Sequence, residues 1–274
     1  MSQTGYIALS YWDMAMAASL ILINGALSVA FRLGLERTLF IAAARMTVQL
    51  MAVGFVLKFI FSQTSALWTL GLGLCMVLFA GREAMARQTR RYKGWWAYGL
   101  GTGTLLFVGL LAILFGVGVI IGPEPWYTPR FVLPILGMAL GNTLNGISLG
   151  LETLTTTAFR ERAAIEARIA LGATHFEAMS AVTRQALKTG MMPIVNSMAA
   201  TGIVALPGMM TGQILAGVDP VEATKYQVLI TFLIAGGTAL GAFLAVFGGT
   251  RLLTDERHRL RLDRLEKPAN TNSQ

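Results

Sequence analysis

Charged residues, cysteine and histidine are all scarce in this sequence. Asp, Glu, Lys and Arg make up 13% of its 274 residues, whereas a soluble domain carries about 25%. The single cysteine, Cys75, excludes an intramolecular disulfide. The two histidines lie in polar segments, and no His/Cys cluster has the spacing of a zinc site. These absences exclude a disulfide scaffold and a zinc finger, and they argue against a water-soluble domain.

Long apolar runs are abundant instead. Hydrophobic residues make up 54% of the chain, and a helix needs about 20 mostly apolar residues to cross about 30 Å of hydrocarbon. Seven runs have roughly this length: 11–31, 39–61, 66–81, 96–121, 131–153, 191–216 and 226–249. The pattern predicts an all-α fold, a polytopic transmembrane helical bundle of about seven spans.

The few cations alternate from side to side along this map. Of the 22 Lys and Arg residues, 18 fall on one side, three fall on the other, and Arg45 lies inside a span. Because short cytoplasmic loops are enriched in Lys and Arg, we expect the N-terminus outside and the C-terminus in the cytoplasm. The net charge of +8 then reflects topology in a bacterial inner (plasma) membrane. Membrane lipid is an expected partner and nucleic acid is not.

The longest polar loop, 154–190, lies between the fifth and sixth runs. Residues 158–171 have helical composition, and Gly172 suits a helix C-terminus. Thr174 with Glu177 is the signature of a capping box, which predicts a second helix over 175–189. Beyond the last run, the charged tail 251–274 begins with a predicted helix over 251–267, with Asp255–Arg259 and Asp263–Lys267 pairs.

Two elements of the sequence resemble bacterial ABC permeases. Glu166-Ala167-Arg168 followed by Gly172 resembles their E-A-A-x-x-x-G element, with Arg168 in place of the second alanine. The stretch 206–220, LPGMMTGQILAGVDP, resembles the signature of the Fet-type iron-export ABC transporter permease family, which has plant aluminium-tolerance relatives. The similarity extends along nearly the whole chain up to about residue 250. It includes Lys225-Tyr226-Gln227, Arg45 and Gln49 with 53–58, and parts of 133–142.

The resemblance implies a permease domain over 1–250 that works as a homodimer with a separate cytoplasmic ABC ATPase subunit. ATP and Mg would bind that partner, since the chain has no Walker A loop. We therefore expect no catalytic residue, no cofactor site and no enzyme activity in this chain. The resemblance also implies a coupling element and ATP-driven export of iron or a related metal cation by alternating access. The predicted coupling residues are Glu166, Ala167, Gly172, Ala173 and Thr174.

Polar side chains in hydrocarbon are costly and are therefore candidates for function. Asn142, Asn145 and Glu152 are spaced so that they share one helical face of the fifth run. Their oxygens suit hard or borderline divalent cations, which makes them candidate metal ligands. An interhelical hydrogen-bonding face is the alternative. In the second run, Arg45 and Gln49 also share a face, and we expect Arg45 to pair with Glu152.

The sixth run contains a helix breaker. Pro207 has no amide hydrogen, and its ring clashes with the carbonyl four residues earlier. Gly208 loosens the backbone further. Discontinuous helices line many transport sites, so this pair predicts a gate or hinge. The residues that follow, Met209, Met210 and Gln213, are candidate metal contacts, although methionine also fills gaps in helix packing.

Two other function classes stay open at this stage. An ATP-independent secondary transporter or channel for a cation would use the same intramembrane polar groups without an ATPase. An intramembrane enzyme has little support, because no nucleophile–base pair occurs in the spans.

Overall fold

The structure is a computed structural model, and it describes residues 10–63, 65–255, 257 and 259–266, without the side chains of residues 95–97. Helices make up most of this part of the chain and no strand forms in it, which confirms the predicted all-α class. Its α-helices are α1 (Tyr11–Ala30), α2 (Glu36–Ser62), α3 (Ala66–Ala86), α4 (Trp95–Leu111), α5 (Pro129–Arg160), α6 (Arg162–Ala170), α7 (His175–Ala200), α8 (Gly208–Leu215) and α9 (Pro220–Leu252). Helix α4 continues as π-type turns over Ala112–Ile121.

Six helical segments are long and apolar enough to cross a membrane, by length and composition: α1, α2, α3, Tyr98–Ile121, α5 and α9. The protein is therefore a polytopic helical membrane protein. Each of these segments covers one of the seven predicted runs. The sixth run, 191–216, is covered by none of them. Which side of the membrane each end faces stays a prediction.

The chain divides into two compact units, 1–64 with 212–219 and 65–211 with 220–274. In the first unit, Ser28 joins the ends of α1 and α2. Its hydroxyl donates to the Glu36 carboxylate at 2.9 Å and accepts the Leu35 amide at 3.0 Å. Phe40 packs directly over Gly25, where a side chain would leave no room for its ring. A small residue and a buried hydroxyl therefore hold this helical pair together.

In the second unit, α5 is the central helix. It is flanked by α3, α4, α7 and α9, and its apolar side chains form much of the buried core. A Cβ built on Gly190 of α7 would lie 2.8 Å from the Gly146 carbonyl oxygen. One built on Gly150 would lie 3.5 Å from the Ala186 carbonyl oxygen. The backbones of α5 and α7 therefore touch, as small residues permit in membrane helices.

These contacts also fix the helix directions. On α5, Gly146 faces Gly190 and Gly150 faces Ala186, so α7 runs antiparallel to α5. On α9, Thr238 lies against Gly146 and Val246 lies against Gly150, so α9 runs parallel to α5. The chain thus reverses between α5 and α7 and again before α9. Helix α7 runs in the direction that the predicted sixth span requires.

The predicted boundary between a loop helix ending at 189 and a sixth span beginning at 191 is wrong. Helix α7 begins in the polar loop and runs without interruption to Ala200. Gly190 does not end it, because this glycine is buried against α5, and Pro193 lies inside it. The first half of α7 is polar and its second half is apolar. The sequence pattern therefore predicted two separate elements, a loop helix and a span, where the structure has one helix.

The predicted tail helix is also wrong. Helix α9 ends at Leu252, and the described residues that follow it (253–255, 257 and 259–261) lie in a tight loop. The Asp255–Arg259 ion pair forms at 3.0 Å, but Asp255 also accepts the backbone amides of Arg257 and Arg259. Asp263 pairs with Arg261, and Lys267 lies outside the described residues. Buried Leu253 and Leu265 hold this segment against the unit, so tertiary packing replaces the helix that the charge spacing suggested.

Candidate transport path and coupling hairpin

The polar face of α5 is used for contacts with the end of α3 and the loop after it. Arg87 donates from Nη1 to Asn145 Oδ1 at 2.8 Å. The backbone amide of Thr89 donates to Glu152 Oε2 at 2.8 Å. Asn142 Nδ2 donates to the carbonyl of Met138, one turn back, at 2.9 Å. Asn145 therefore bonds to the end of α3, and Glu152 bonds to the loop after it.

The described residues contain no group of three or more His, Cys, Asp or Glu side chains placed to hold a metal ion. A metal-ligand role for Asn142, Asn145 and Glu152 stays a prediction. In the first unit, Arg45 and Gln49 lie one turn apart on α2 and are both exposed. The pairing of Arg45 with Glu152 likewise stays a prediction.

The predicted Gly turn and capping box are confirmed. Gly172 has a φ of +96°, in the left-handed region that glycine adopts without strain. Its amide bonds to the Ile169 carbonyl, and the Ala173 amide bonds to the Arg168 carbonyl. This pair of bonds is a Schellman motif, which ends a helix sharply. Thr174 and Glu177 then cap α7 with reciprocal hydrogen bonds.

Helices α6 and α7 therefore form a hairpin, which we call the coupling hairpin (residues 162–190). Ile165 of α6 and Met179 of α7 are both buried and belong to the hydrophobic core of the unit. Arg168 Nη1 donates across the hairpin to the Ala178 carbonyl at 3.4 Å, which gives a structural reason for arginine at the position where the motif usually has alanine. Glu166 is exposed and pairs with Arg162 at 2.8 Å. At the tip, Leu171 is 88% exposed.

The predicted break before α8 is confirmed, and it is wider than Pro207 alone requires. Helix α7 ends at Ala200, whose carbonyl accepts the amides of both Val204 and Ala205. The Gly202 amide donates to the Ala205 carbonyl at 2.9 Å, so residues 201–207 form a compact loop. Helix α8 begins at Gly208. Pro207 therefore marks the start of α8 and not the end of α7.

The three candidate contacts after the break have different environments. Met209 packs against the core of the second unit. Met210 lines a cavity. Gln213 is half-buried, and its Oε1 is enclosed with no hydrogen-bond partner among the described residues. Of the two methionines, Met209 has the packing role and Met210 is the one that faces open space.

The cavity has a volume of about 370 Å³ and lies where the end of α7, the break and α9 meet. One face of α9 contributes Thr224, Gln227, Val228 and Thr231, and the remaining wall includes Met198, Thr201 and Met210. Gln227 was not among the site residues predicted from the sequence. Its signals were present: it lies in the family-like stretch 225–227, and Thr224, Gln227 and Thr231 recur at helical spacing.

A known protein family matches most of the chain. The sequence profile of the Uncharacterised protein family (UPF0014) matches residues 11–253. The chain belongs to the UPF0014 family. No solved structure gives a significant match to it.

Named relatives in the UPF0014 family come from bacteria and plants. The chain is 32% identical over 260 residues to the probable iron export permease protein FetB of Escherichia coli, covering 93% of this chain and 96% of FetB. It is 37% identical over 205 residues to the UPF0014 membrane protein slr1647 of Synechocystis, covering 74% and 77%. It is 30% identical over 237 residues to the protein ALUMINUM SENSITIVE 3 of Arabidopsis thaliana, covering 85% and 83%. The predicted relationship to the iron-export family and its plant relatives is thereby confirmed.

Proposed function

We propose that this chain is the membrane-spanning subunit of an ABC transporter of the bacterial inner membrane, and that it exports iron or a related metal cation. Two copies would work with a separate cytoplasmic ATPase, which binds ATP and Mg. The observation that carries the proposal is the coupling hairpin, whose second helix runs without interruption to the break beside the cavity. The name of the full-length relative FetB supports iron as the substrate.

Helix α7 links the hairpin mechanically to the break. It has 26 residues, which is about 39 Å at 1.5 Å per residue. The capping box fixes its first turn, and the contact of Gly190 with Gly146 seats its middle against α5. Helix α7 is continuous from His175 to Ala200, although Pro193 inside it removes one backbone hydrogen bond. A displacement of the hairpin tip would therefore move Ala200 and the adjoining loop. This is how ATPase closure would open or close the break.

The hairpin also has surfaces suited to a protein partner. Leu171 is an exposed apolar residue at the tip, and apolar anchors at interface centres supply much of the binding energy. Beside the start of α7 lies a cleft of about 490 Å³ whose wall includes Arg251, Arg257 and Arg264. Such a cluster of cations favours an acidic facing surface. We expect the ATPase to cover the tip and this cleft together.

The test is transport by the purified chain reconstituted in liposomes with its ATPase. We expect Fe²⁺ movement only with both subunits and ATP. Leu171→Asp at the tip should reduce ATP-dependent transport at least about tenfold, since it places a charge in an apolar contact. Leu33→Asp is the matched control, because Leu33 is also exposed and lies in the turn after α1. It should transport normally.

Two results would contradict the proposal. Fe²⁺ transport by the chain alone, without ATPase or ATP, would favour the secondary transporter or channel. Equal transport by Leu171→Asp and Leu33→Asp would remove the hairpin tip as the point of coupling.

A further inference from the structure

The cleft beside the start of α7, which we call the arginine cleft, has more cations than its anions can pair. Among the described residues, its wall has four arginines and one aspartate: Arg251, Arg257, Arg259, Arg264 and Asp255. Asp255 pairs with Arg259 at 3.0 Å. Arg251 and Arg257 make no ion pair within the part of the chain that the structure describes. The described wall therefore has a net charge of at least +3 and attracts anions.

Short hydrogen bonds hold the arginine cleft in shape. Nη1 of Arg264 donates to the carbonyl of Leu252 at 2.8 Å, next to Arg251 in the last turn of α9. Oδ1 of Asp255 accepts the backbone amide of Arg257 at 3.0 Å. The loop that bears the arginines is therefore fixed to the end of α9.

A second, mostly apolar groove between α7 and α9 adjoins the arginine cleft. Phe176 lines both of them. The groove has a volume of about 300 Å³, and its wall includes the side chains of Leu187 and Phe247. Thr183 and Thr250 also line it, and their hydroxyls are buried and lie 3.1 Å apart, which joins the two helices. We call this feature the apolar groove.

The depths of the cleft and the groove match the layers of a membrane. Arg251 lies two residues after the predicted seventh run, 226–249, which is about 3 Å along a helix. A headgroup layer is about 5–7 Å thick, so the arginine cleft lies at the level of the headgroups. Leu187 follows Ala186, which faces Gly150 inside the predicted fifth run, so the apolar groove reaches the hydrocarbon. This order is the same whichever side of the membrane the cleft faces.

One arginine in the apolar groove fits the same arrangement. Arg184 lines the groove and is exposed, and it makes no ion pair within the described part of the chain. Side chains on a helix lean towards its N-terminus, and α7 begins at the arginine cleft. The Arg184 side chain therefore leans towards the headgroup level, where long cationic side chains place their charge.

We propose that the arginine cleft and the apolar groove together bind one anionic phospholipid, with its phosphate among the arginines and part of one acyl chain in the groove. Basic pockets beside membrane helices bind anionic headgroups, and the adjoining groove distinguishes a lipid from a soluble anion, which has no chain to place there. The bound lipid would bridge the first turn of α7 and the loop after α9, and so anchor the coupling hairpin to the membrane surface.

The lipid is compatible with the proposed ATPase contact. The phosphodiester of an anionic phospholipid carries a charge of −1, so the described wall of the arginine cleft stays positive after the lipid binds. The ATPase would cover a cleft that already contains a headgroup, and an acidic ATPase surface would still face net positive charge.

The first measurement is lipid binding to the purified full-length chain in detergent, by native mass spectrometry. Phosphatidylglycerol should bind at least about tenfold tighter than phosphatidylcholine with the same acyl chains. Arg251→Gln combined with Arg257→Gln should weaken phosphatidylglycerol binding about thirtyfold, since each arginine at an anionic headgroup contributes about fivefold. Arg37→Gln combined with Arg82→Gln is the matched control, because both arginines are exposed outside the cleft and the same charge is lost. It should bind like the wild type.

A second pair of variants tests the apolar groove. Leu187→Trp fills part of the groove and should weaken phosphatidylglycerol binding about tenfold, the equivalent of about two buried CH₂ groups. Val195→Trp adds the same ring at an exposed position of α7 outside the groove, and it should bind like the wild type. Thermal unfolding checks that every variant is folded.

Three results would overturn the lipid site. Equal binding of the two lipids, or of the two double variants, would show that the arginines recognise no headgroup. Displacement of phosphatidylglycerol by excess inorganic phosphate, with normal lipid binding by Leu187→Trp, would identify a soluble anion as the ligand. Release of phosphatidylglycerol when the ATPase binds would show that a protein surface occupies the cleft. None of these measurements involves Fe²⁺ transport, so the lipid site can fail while the proposed function stands.

Discussion

Glycine at position 190 decides how closely α5 and α7 can approach. A Cβ at this position would lie 2.8 Å from the Gly146 carbonyl oxygen and 3.3 Å from the Gly150 Cα. Both neighbours are backbone atoms, so no side chain can move aside. The contact therefore depends on the absence of one methyl group.

We expect Gly190→Ala to destabilise the protein by about 1–3 kcal/mol, the usual cost of overpacking. The readout is the melting temperature of the detergent-purified protein, measured by tryptophan fluorescence. Gly236→Ala on α9 is the control, because a Cβ there meets nothing within 4 Å. A melting temperature for Gly190→Ala equal to that of Gly236→Ala would contradict the backbone contact.

The hydroxyl of Tyr92 is a polar atom whose burial no hydrogen bond compensates among the described residues. Tyr92 is 5% exposed, and its hydroxyl has no hydrogen-bond partner among the described residues. Burial raises the pKa of Tyr92 above its usual value, so the ring stays neutral at physiological pH. Removing an unsatisfied buried hydroxyl relieves a desolvation cost.

Tyr92→Phe should therefore leave stability unchanged or raise it by up to about 1 kcal/mol. Tyr98→Phe makes the same chemical change where the hydroxyl donates to the Leu78 carbonyl at 3.1 Å, and it should lower stability slightly. Melting temperatures of the two variants test this order. A clear loss in Tyr92→Phe would show that its hydroxyl has a partner, such as a bound water.

At the scale of elements, the coupling hairpin is built from local signals. The Schellman motif at Gly172 and the capping box at Thr174 and Glu177 are satisfied by backbone groups a few residues away. Sequence spacing alone therefore predicted where α6 ends and where α7 begins. The end of α7 has no such signal, because Gly190 is a contact with α5 and not a stop.

The capping box gives the hairpin a pH dependence. Hydrogen bonds from the hydroxyl and backbone amide of Thr174 lower the pKa of Glu177. A lowered pKa in the folded state means that the ionised carboxylate contributes stability at neutral pH. That contribution is lost as the pH falls through the lowered pKa. The first turn of α7 should therefore open more readily under acid conditions.

Hydrogen exchange at residues 175–178 measures this opening. Protection should stay constant from neutral pH down to the usual pKa of a glutamate and fall below it, as the pH passes through the lowered pKa of Glu177. Intrinsic exchange rates are corrected for, and Glu177→Gln should have a flatter profile. Thr174→Ala removes the cap and should destabilise the start of α7 by about 1 kcal/mol at neutral pH. A wild-type profile as flat as that of Glu177→Gln would contradict the role of the carboxylate.

At the scale of the whole molecule, the predicted orientation is open to a direct test. The chain has one cysteine, so Cys75→Ser provides a background without thiols. Leu171 is 88% exposed at the hairpin tip, and Ile203 is 96% exposed in the break. Helix α7 lies between them, so the two positions should face opposite sides of the membrane.

In this background, Leu171→Cys should react with an impermeant maleimide only in inside-out vesicles. Ile203→Cys should react only in intact spheroplasts, where the outer face is accessible. Each variant is the control for the other, since both side chains are highly exposed. Reaction of Leu171→Cys from the outside would reverse the topology and remove a cytoplasmic ATPase from contact with the hairpin.

The sequence by itself determined the membrane-spanning class, most of the spans and the turn of the hairpin. These depend on properties of residues that are neighbours in the sequence: the length of an apolar run, and caps completed within four residues. The break at Pro207 belongs to the same group, because a missing amide hydrogen is a local fact.

Only the tertiary structure decided the course of α7, the fold of the tail and the cavity at Gln227. Helix α7 continues past Gly190 because α5 offers two facing glycines, and the tail is folded back by the burial of Leu253 and Leu265. The cavity joins Met198 to Gln227 across a break and two helices. Contacts between residues so far apart in the chain have no periodic pattern or capping motif in the sequence that would predict them. They form only when the helices pack against each other.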